Sequence, residues 1–523
     1  MGGQVYCHIC GVGFNISRDR TDKEPRSAAW GEDGRAFAEF DPEDCPEKGC
    51  LYVARDPSGD DSTAESEAGF SEPNIFLPDT HRLHHAAHNW EHIPGPECDL
   101  NRAYNGHFIS AEAMRGRTTL QCLVRKPDDW EPEPDDEAFE ASGHFFLSGL
   151  GDYMPDKFDS GPTVFPERHS TSMPRAENWF NELFVQATES SMPFHPTCLE
   201  IFKRASLHRY GVVDIECLTQ WWGLEAAYDY FIRFPRHQAV LNGRGDEDIA
   251  WQYYEGEEFL AANPCFVPGL QALLSSTRRS KKSLKKYGNN YSELIPKVVS
   301  TGTAPADLFS RLPEELRMMI LMQLSSKDIA NLRLASRTFL LLPSSLFYRL
   351  VVRDMPWLYE AWSSLPISFW ATTTKSEEKS RQRAWEAKVV KLRNKIEILK
   401  REATDSGDPK FNKSAIKAAK KKLRELPDLS SVSRPATSPV MLSRTKTDWC
   451  RLKILLSKNL KTVPGLQNRR RIWNDCQEIL NRVDRYRAQG KIRPGEAVDV
   501  AEVARQTRIR EEEEARRARA RWA

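Results

Sequence analysis

Two short motifs carry the most specific chemistry in this chain. Cys7-His8-Ile9-Cys10-Gly11 is a knuckle: two cysteines three apart, followed by a glycine, let both sulfurs face one metal at about 2.3 Å. It supplies half a tetrahedral site. His195-Pro196-Thr197-Cys198 is the best source of the other half. Thr197 with Glu200 three residues on predicts a capping box that sets Cys198 in the first turn of a helix, where the helix N-terminus stabilises a thiolate. Cys7, Cys10, His195 and Cys198 would then enclose one structural zinc and leave no position for an activated water. Cys45 and Cys50 are a competing second half, and reduced core thiols without metal are the plain alternative.

The same residues permit a rival chemistry, since a cysteine at a helix start near a histidine is the arrangement of a thiol nucleophile. His195 lies only three residues before Cys198, however, and no local signature of a cysteine hydrolase surrounds either. His81, His84, His85, His88 and His92 offer helical metal-site spacings, yet His88-Asn89-Trp90-Glu91-His92 is not HExxH, because the glutamate that would face a metal-bound water is displaced. No P-loop, dinucleotide fingerprint or kinase motif is present.

The elements that must position these groups fall in residues 1–274, which mix β-like runs such as residues 120–124 with helical stretches and are rich in aromatic, His and Cys residues. Residues 56–69 hold five acidic residues and no apolar side chain larger than alanine, so a disordered loop is expected. Residues 128–140 hold eight acidic residues and two prolines, which predicts an exposed extended loop. Trp221, Trp222, Tyr228, Tyr230, Phe231 and Phe234 read as core, with a peptide-gripping aromatic pocket as the alternative.

Residues 275–306 shift to Ser, Thr, Lys, Gly and Pro, the composition of a linker. Its basic cluster (Arg278, Arg279, Lys281, Lys282, Lys285, Lys286) suits either a nuclear import signal or a solvated linker. Residues 356–523 read as helical, basic and partly disordered, with 17 Lys or Arg against 8 Asp or Glu over residues 375–425. There Trp385, Val389, Leu392, Ile396 and Leu399 repeat at alternating spacings of four and three, predicting a helix docked on its own chain, with residues 416–426 as its partner. Over 523 residues the 75 basic and 74 acidic side chains nearly cancel, which argues against nucleic-acid binding through net charge. No apolar run is long enough to span a membrane, no signal peptide is evident, and Tyr6 stands where a myristoylation motif needs Ser or Thr. A protein of the cytoplasm, the nucleus or both is expected, with its eleven cysteines reduced or metal-bound.

Residues 307–352 form the strongest constellation. Pro313 suits the first helical position, and Glu314 and Glu315 then sit on the positive end of the helix dipole. Leu316, Met319, Ile320, Gln323 and Leu324 follow at helical spacing. Ser325 with Asp328 predicts the cap of a second helix carrying Ile329, Leu332, Ala335 and Ser336, Pro343 ends it, and residues 346–352 make a third. This stretch resembles the F-box family: a Leu-Pro pair, an acidic residue, Leu, Ile and Leu in register, a short turn, Asp, and a Leu-Arg run. The family's usual Cys and Trp are replaced by Ser336 and Phe339. The resemblance implies that Leu312, Pro313, Leu316, Ile320, Leu324 and Leu332 bind a Skp-type adaptor linked to a cullin, in a non-catalytic ubiquitin-ligase subunit that recruits an unknown substrate protein. Cys7 to Cys10, Phe194 to Cys198 and Pro356-Trp357-Leu358 are also similar to a group of fungal F-box proteins. The expected architecture is an α+β domain (residues 1–274), a basic linker (275–306), an all-α F-box (307–355) and an α-helical region (356–523). A zinc-stabilised scaffold that delivers no substrate and a metal- or thiol-dependent hydrolase are the rivals.

Overall fold

The computed structural model describes residues 6–14, 16–30, 49–54, 75–76, 90–98, 103–133, 136–151, 165–166, 168, 191–225, 234–244, 251–278, 307–340, 342–406, 412–426, 434–493 and 516. Its β structure is N-terminal: β1 (Arg18–Asp19), β2 (Leu51–Ala54), β3 (Ile75–Phe76), β4 (Trp90–Ile93), β5 (Tyr104–Asn105), β6 (Gln121–Arg125), β7 (Phe145–Leu147) and β8 (Ser191–Phe194). Two antiparallel three-stranded sheets have the orders β3-β2-β4 and β7-β6-β8, and β1 pairs in parallel with β5. The helices are α1 (Ala138–Ser142), α2 (Pro196–Tyr210), α3 (Ile215–Glu225), α4 (Gln238–Arg244), α5 (Leu270–Ser276), α6 (Glu314–Gln323), α7 (Ser326–Ala335), α8 (Ser344–Asp354), α9 (Phe369–Thr372), α10 (Lys375–Asp405), α11 (Lys413–Glu425), α12 (Trp449–Asn459) and α13 (Pro464–Ala488). The chain thus runs from an α+β region through a small all-α unit to a helical region, as composition and periodicity predict.

The composition boundary near residue 275 does not divide the core. One continuous apolar cluster joins Cys7, Phe14, Cys122, Trp221 and Trp222 to Trp357, Trp449, Trp473 and Ile492. Helix α13 is its spine, packed on α2 and α3. Asn468 donates to the carbonyls of Leu260 (3.2 Å) and Ala262 (2.6 Å). Buried Arg469 donates to Pro264 O at 2.5 Å and makes a bidentate pair with Glu360 at 2.8 and 2.9 Å. A guanidinium fork can satisfy several carbonyls and a carboxylate together, so these arginines sit inside despite their charge. The expected linker likewise starts late: Thr277 is buried and its carbonyl accepts from Asp448 N at 2.9 Å, while residues 279–306 lie outside the described residues. So do residues 56–69, His81, His84, His85, His88, Tyr228, Tyr230 and Phe231.

The acidic stretch at residues 128–140 is not wholly an exposed loop. Glu137 and Glu140 close a capping box that starts α1, and Glu140 is buried, its carboxylate accepting from Leu147 N at 2.9 Å and Glu137 N at 2.7 Å. Proline interrupts only the first half of that run, which leaves its end free to turn helical. Trp221, Trp222 and Phe234 are core, as expected. The paired-helix expectation also holds: α10 packs against α11, burying Val389, Ile396 and Ala419.

Candidate functional site

Residues 6–13 form a tight hairpin in which Cys7 N donates to Val12 O (2.9 Å) and Gly11 N to Cys7 O (2.7 Å). Gly11 has a φ of +75°, and a Cβ there would also meet the Arg236 side chain at 3.0 Å. The hairpin is pinned to β8 by His8 N donating to Pro193 O at 2.9 Å, which brings it beside the start of α2. Its outward carbonyls are each taken by an arginine. Arg236 donates to Ile9 O (2.6 Å) and His8 O (2.9 Å), Arg471 to Cys10 O (2.8 Å) and Arg244 to Gly11 O (3.3 Å). Arg471 belongs to α13, so the far end of the chain fixes the knuckle.

Helix α2 starts with His195 as N-cap and Pro196 at its first position. The expected capping box between Thr197 and Glu200 does not form, because proline moves the cap back to residue 195. Thr197 Oγ1 is buried without a hydrogen-bond partner, and Glu200 turns to Lys203 (2.7 Å) and Arg204 (2.6 Å). Cys198 still lies in the first turn, its N–H donating to His195 O at 2.8 Å.

These elements bring Cys7, Cys10, His195 and Cys198 together, all fully buried, with one ligand atom from each within 4.8 Å of the others. His195 Nδ1 stands 3.6 Å from Cys10 Sγ and 3.8 Å from Cys198 Sγ. A sulfur and a nitrogen on one tetrahedral zinc are separated by about 3.6 Å, so the cage has the size of that ion. The backbone N–H groups of Cys10 (3.5 Å) and His195 (3.4 Å) point at Cys7 Sγ, as amides around a metal-bound thiolate do. Buried Arg117 places Nη1 3.9 Å from Cys198 Sγ and anchors Nη2 on Leu260 O at 3.0 Å. Three thiolates around a dication would carry net negative charge, which Arg117 is placed to offset.

Burial pushes the Cys7 thiol up to about 12, and neighbouring Cys10 adds to the rise. Burial also raises Cys198, again with Cys10 beside it. Cys10 goes the other way: burial opposes ionisation, but hydrogen bonds from Cys198 and Cys7 and the adjacent His195 hold it well below the ordinary thiol value. Burial, with Arg117, lowers His195 to about 4, which leaves a neutral imidazole. A neutral imidazole is the form in which histidine ligates a metal, and each protonated thiol beside it would release its proton on binding. Cys50 is not part of this group, and Cys45 lies outside the described residues.

The second expected site is the three-helix unit. Leu321, Ile329, Phe339, Leu342, Leu346 and Leu350 make its own small core, with Leu324 and Leu332 packed at the edge. Pro313 is the N-cap of α6 rather than its first residue, at φ −54° and ψ 154°. Ser325 caps α7, accepting from Asp328 N at 3.2 Å. Asp307 ties the unit together: it accepts from Phe309 N (3.1 Å), Ser336 Oγ (2.5 Å), Thr338 N (3.0 Å) and Thr338 Oγ1 (2.8 Å). Ser336 and Phe339, where the family pattern departs, are a hydrogen-bond anchor and a core aromatic. The outward face is apolar: Leu316 is 45%, Met319 63% and Leu334 89% exposed, while Pro313 is exposed and Leu312 and Ile320 are half-buried. Helical periodicity marks the face of Leu316 and Ile320 correctly but cannot say that Leu321, rather than that face, points inward.

The hydrogen bonds from Ser336 and Thr338 hold the Asp307 carboxyl well below its ordinary value. Because the folded value is depressed, this stabilisation is present in full above the unfolded aspartate pKa near 3.8, shrinks below it, and is gone only once pH falls through the lower folded value. Thr338 amide exchange, corrected for its intrinsic rate, should be protected at pH 6 and still protected at pH 3, because the depressed carboxyl stays ionised in the folded chain. In Asp307→Ala it should be unprotected at both. Equal protection in the variant would remove Asp307 from this role.

Residues 309–347 match the family model for the F-box domain. No curated protein and no solved structure matches the chain.

Proposed function

We propose that this F-box protein is the adaptor-binding subunit of a cullin-RING (SCF-type) ubiquitin ligase, recruiting a protein substrate for ubiquitin-dependent degradation. The observation that carries this reading is the outward apolar face of the matched domain. Leu312, Pro313, Leu316, Ile320, Leu324 and Leu332 are the contact set for a Skp-type adaptor, itself bound to a cullin. An exposed row of large apolar side chains on so small a unit is unusual unless a partner covers it.

Catalysis then belongs to the partners. Cys198 supports this role: its sulfur is fully buried among two cysteines and a histidine, which closes it to a substrate and suits a metal ligand rather than a nucleophile. Cys7, Cys10, His195 and Cys198 hold one structural zinc. When bound, zinc crosslinks the chain start to α2, and Arg117, Arg236 and Arg471 position the ligands around it. The described part of residues 1–274, which shares one core with helices of the C-terminal region, presents the substrate-binding surface. Among the described residues no helix is long and apolar enough to cross a membrane.

Affinity purification under proteasome inhibition, comparing the intact chain with one altered at Leu312 and Pro313, tests substrate delivery. Proteins that accumulate with the intact chain and carry ubiquitin are substrates. A set of partners indifferent to both the inhibitor and the F-box would favour a zinc-stabilised scaffold.

A further inference from the structure

A second group of metal-ligating side chains lies apart from the quartet, at the open end of the sheet β3-β2-β4. Strand β2 pairs antiparallel with β4 in the register Leu51 to Ile93 and Tyr52 to His92. Alternation along a strand therefore puts Cys50, one residue before β2, on the same face as His92. Beyond β4 the chain turns at Gly95, where Cys98 N donates to Gly95 O at 3.3 Å, and this turn carries Cys98 back toward the pair. The turn needs glycine twice. Gly49 has a φ of +107°, and a Cβ on Gly95 would meet the Gly49 carbonyl carbon and oxygen at 3.0 Å.

The result is one ligand atom each from Cys50, His92 and Cys98, all within 4.8 Å of one another, with His92 Nε2 3.8 Å from Cys98 Sγ. Gly95 N points at Cys50 Sγ at 3.3 Å, repeating the amide-to-sulfur contacts around Cys7. We propose that Cys50, His92 and Cys98 form a second, independent zinc-binding centre in this chain. Two sulfurs and one imidazole are a donor set for zinc rather than for the oxygen-seeking magnesium or calcium. The separation of His92 from Cys98 matches the roughly 3.6 Å between a sulfur and a nitrogen on one tetrahedral zinc. The centre would clamp the end of a small sheet whose tethers to the rest of the domain include the Arg20–Glu91 pair (2.7 and 2.9 Å) and Asn105 Nδ2 donating to Gly95 O (2.9 Å). Its fourth coordination position is left to water or a further donor.

Zinc per chain, measured by mass spectrometry on the purified full-length protein, tests this. Wild type should carry two zinc ions, Cys98→Ser and His92→Gln one each, and Cys198→Ala one. Cys98→Ser combined with Cys198→Ala should carry none. His92→Cys, which exchanges one donor for another, should keep the metal and strengthen the sulfur-to-metal charge-transfer absorption of the cobalt-substituted protein. That outcome distinguishes ligation from a merely structural role. If wild type holds a single zinc that Cys98→Ser loses and Cys198→Ala keeps, the second centre stands and the quartet does not. Unchanged zinc in both Cys98→Ser and His92→Gln overturns the proposal, as does a thiol count showing Cys50 and Cys98 joined in a disulfide.

Discussion

Replacing Cys198 by alanine should remove one zinc from the chain and lower its thermal stability together, the largest single-residue loss expected here. The expectation follows from where the ligands sit. Two come from a hairpin at the chain start and two from the first turn of α2, and all four lie within the one core that α13 also closes. A structural zinc contributes on the order of 10 kcal/mol to the folding of a small zinc domain, while whole domains have net stabilities of about 5–15 kcal/mol. Loss of one of four ligands weakens the site enough to consume much of that margin, and it leaves buried polar atoms such as His195 Nε2, already without a hydrogen-bond partner, in an emptied pocket. Because hairpin and helix are far apart in sequence, the metal also closes a long loop, and its removal should loosen the core globally rather than locally. Cys122→Ala is the control. Cys122 is equally buried in β6 but belongs to neither ligand group, so its loss should cost about 1 kcal/mol and no zinc. Chelator treatment of wild type should lower the melt at least as far as Cys198→Ala does. Unchanged zinc content and melting in Cys198→Ala would remove the quartet as a metal centre.

The second large effect is expected at the F-box surface. Changing Leu312 and Pro313 together to alanine removes apolar contact area and the fixed backbone at the start of α6. The cost is about 2–4 kcal/mol of adaptor binding, or roughly 30- to 1000-fold in affinity. Pro313 is exposed and Leu312 half-buried, and neither belongs to the small core of Leu321, Ile329, Phe339, Leu342, Leu346 and Leu350. Folding of the unit should therefore survive. Circular dichroism and the melting curve should match wild type while a pull-down of the adaptor fails. If the double variant stays folded and holds the adaptor as well as wild type does, these residues are not the contact edge.

The two motifs that matter most were legible because each is local. CxxC and HxxC declare half a site within four residues, and the F-box helices announce themselves through caps and a periodicity of three and four. What spacing could not show is what depends on tertiary pairing. Thr197 and Glu200 satisfy the capping-box pattern, yet Pro196 shifts the cap and the buried basic pair Lys203 and Arg204 claims the glutamate. Sequence proximity pairs Cys50 with Cys45, and spacing alone could not show that the β2–β4 register also sets it beside His92 and Cys98. The C-terminal region reads as helical, basic and partly disordered because charge dominates its composition. Arg469 and Arg471 are nonetheless interior groups, and one of them reaches a carbonyl of the chain's first turn, 461 residues away. A guanidinium buried on backbone carbonyls has no signature in composition.

Binding of the purified full-length chain to a purified Skp-type adaptor, followed by calorimetry, tests the central claim most directly. A saturable one-to-one complex, weakened 30-fold or more by the change at Leu312 and Pro313, is the expected result. A folded full-length chain that shows no heat and no co-migration with the adaptor would contradict it.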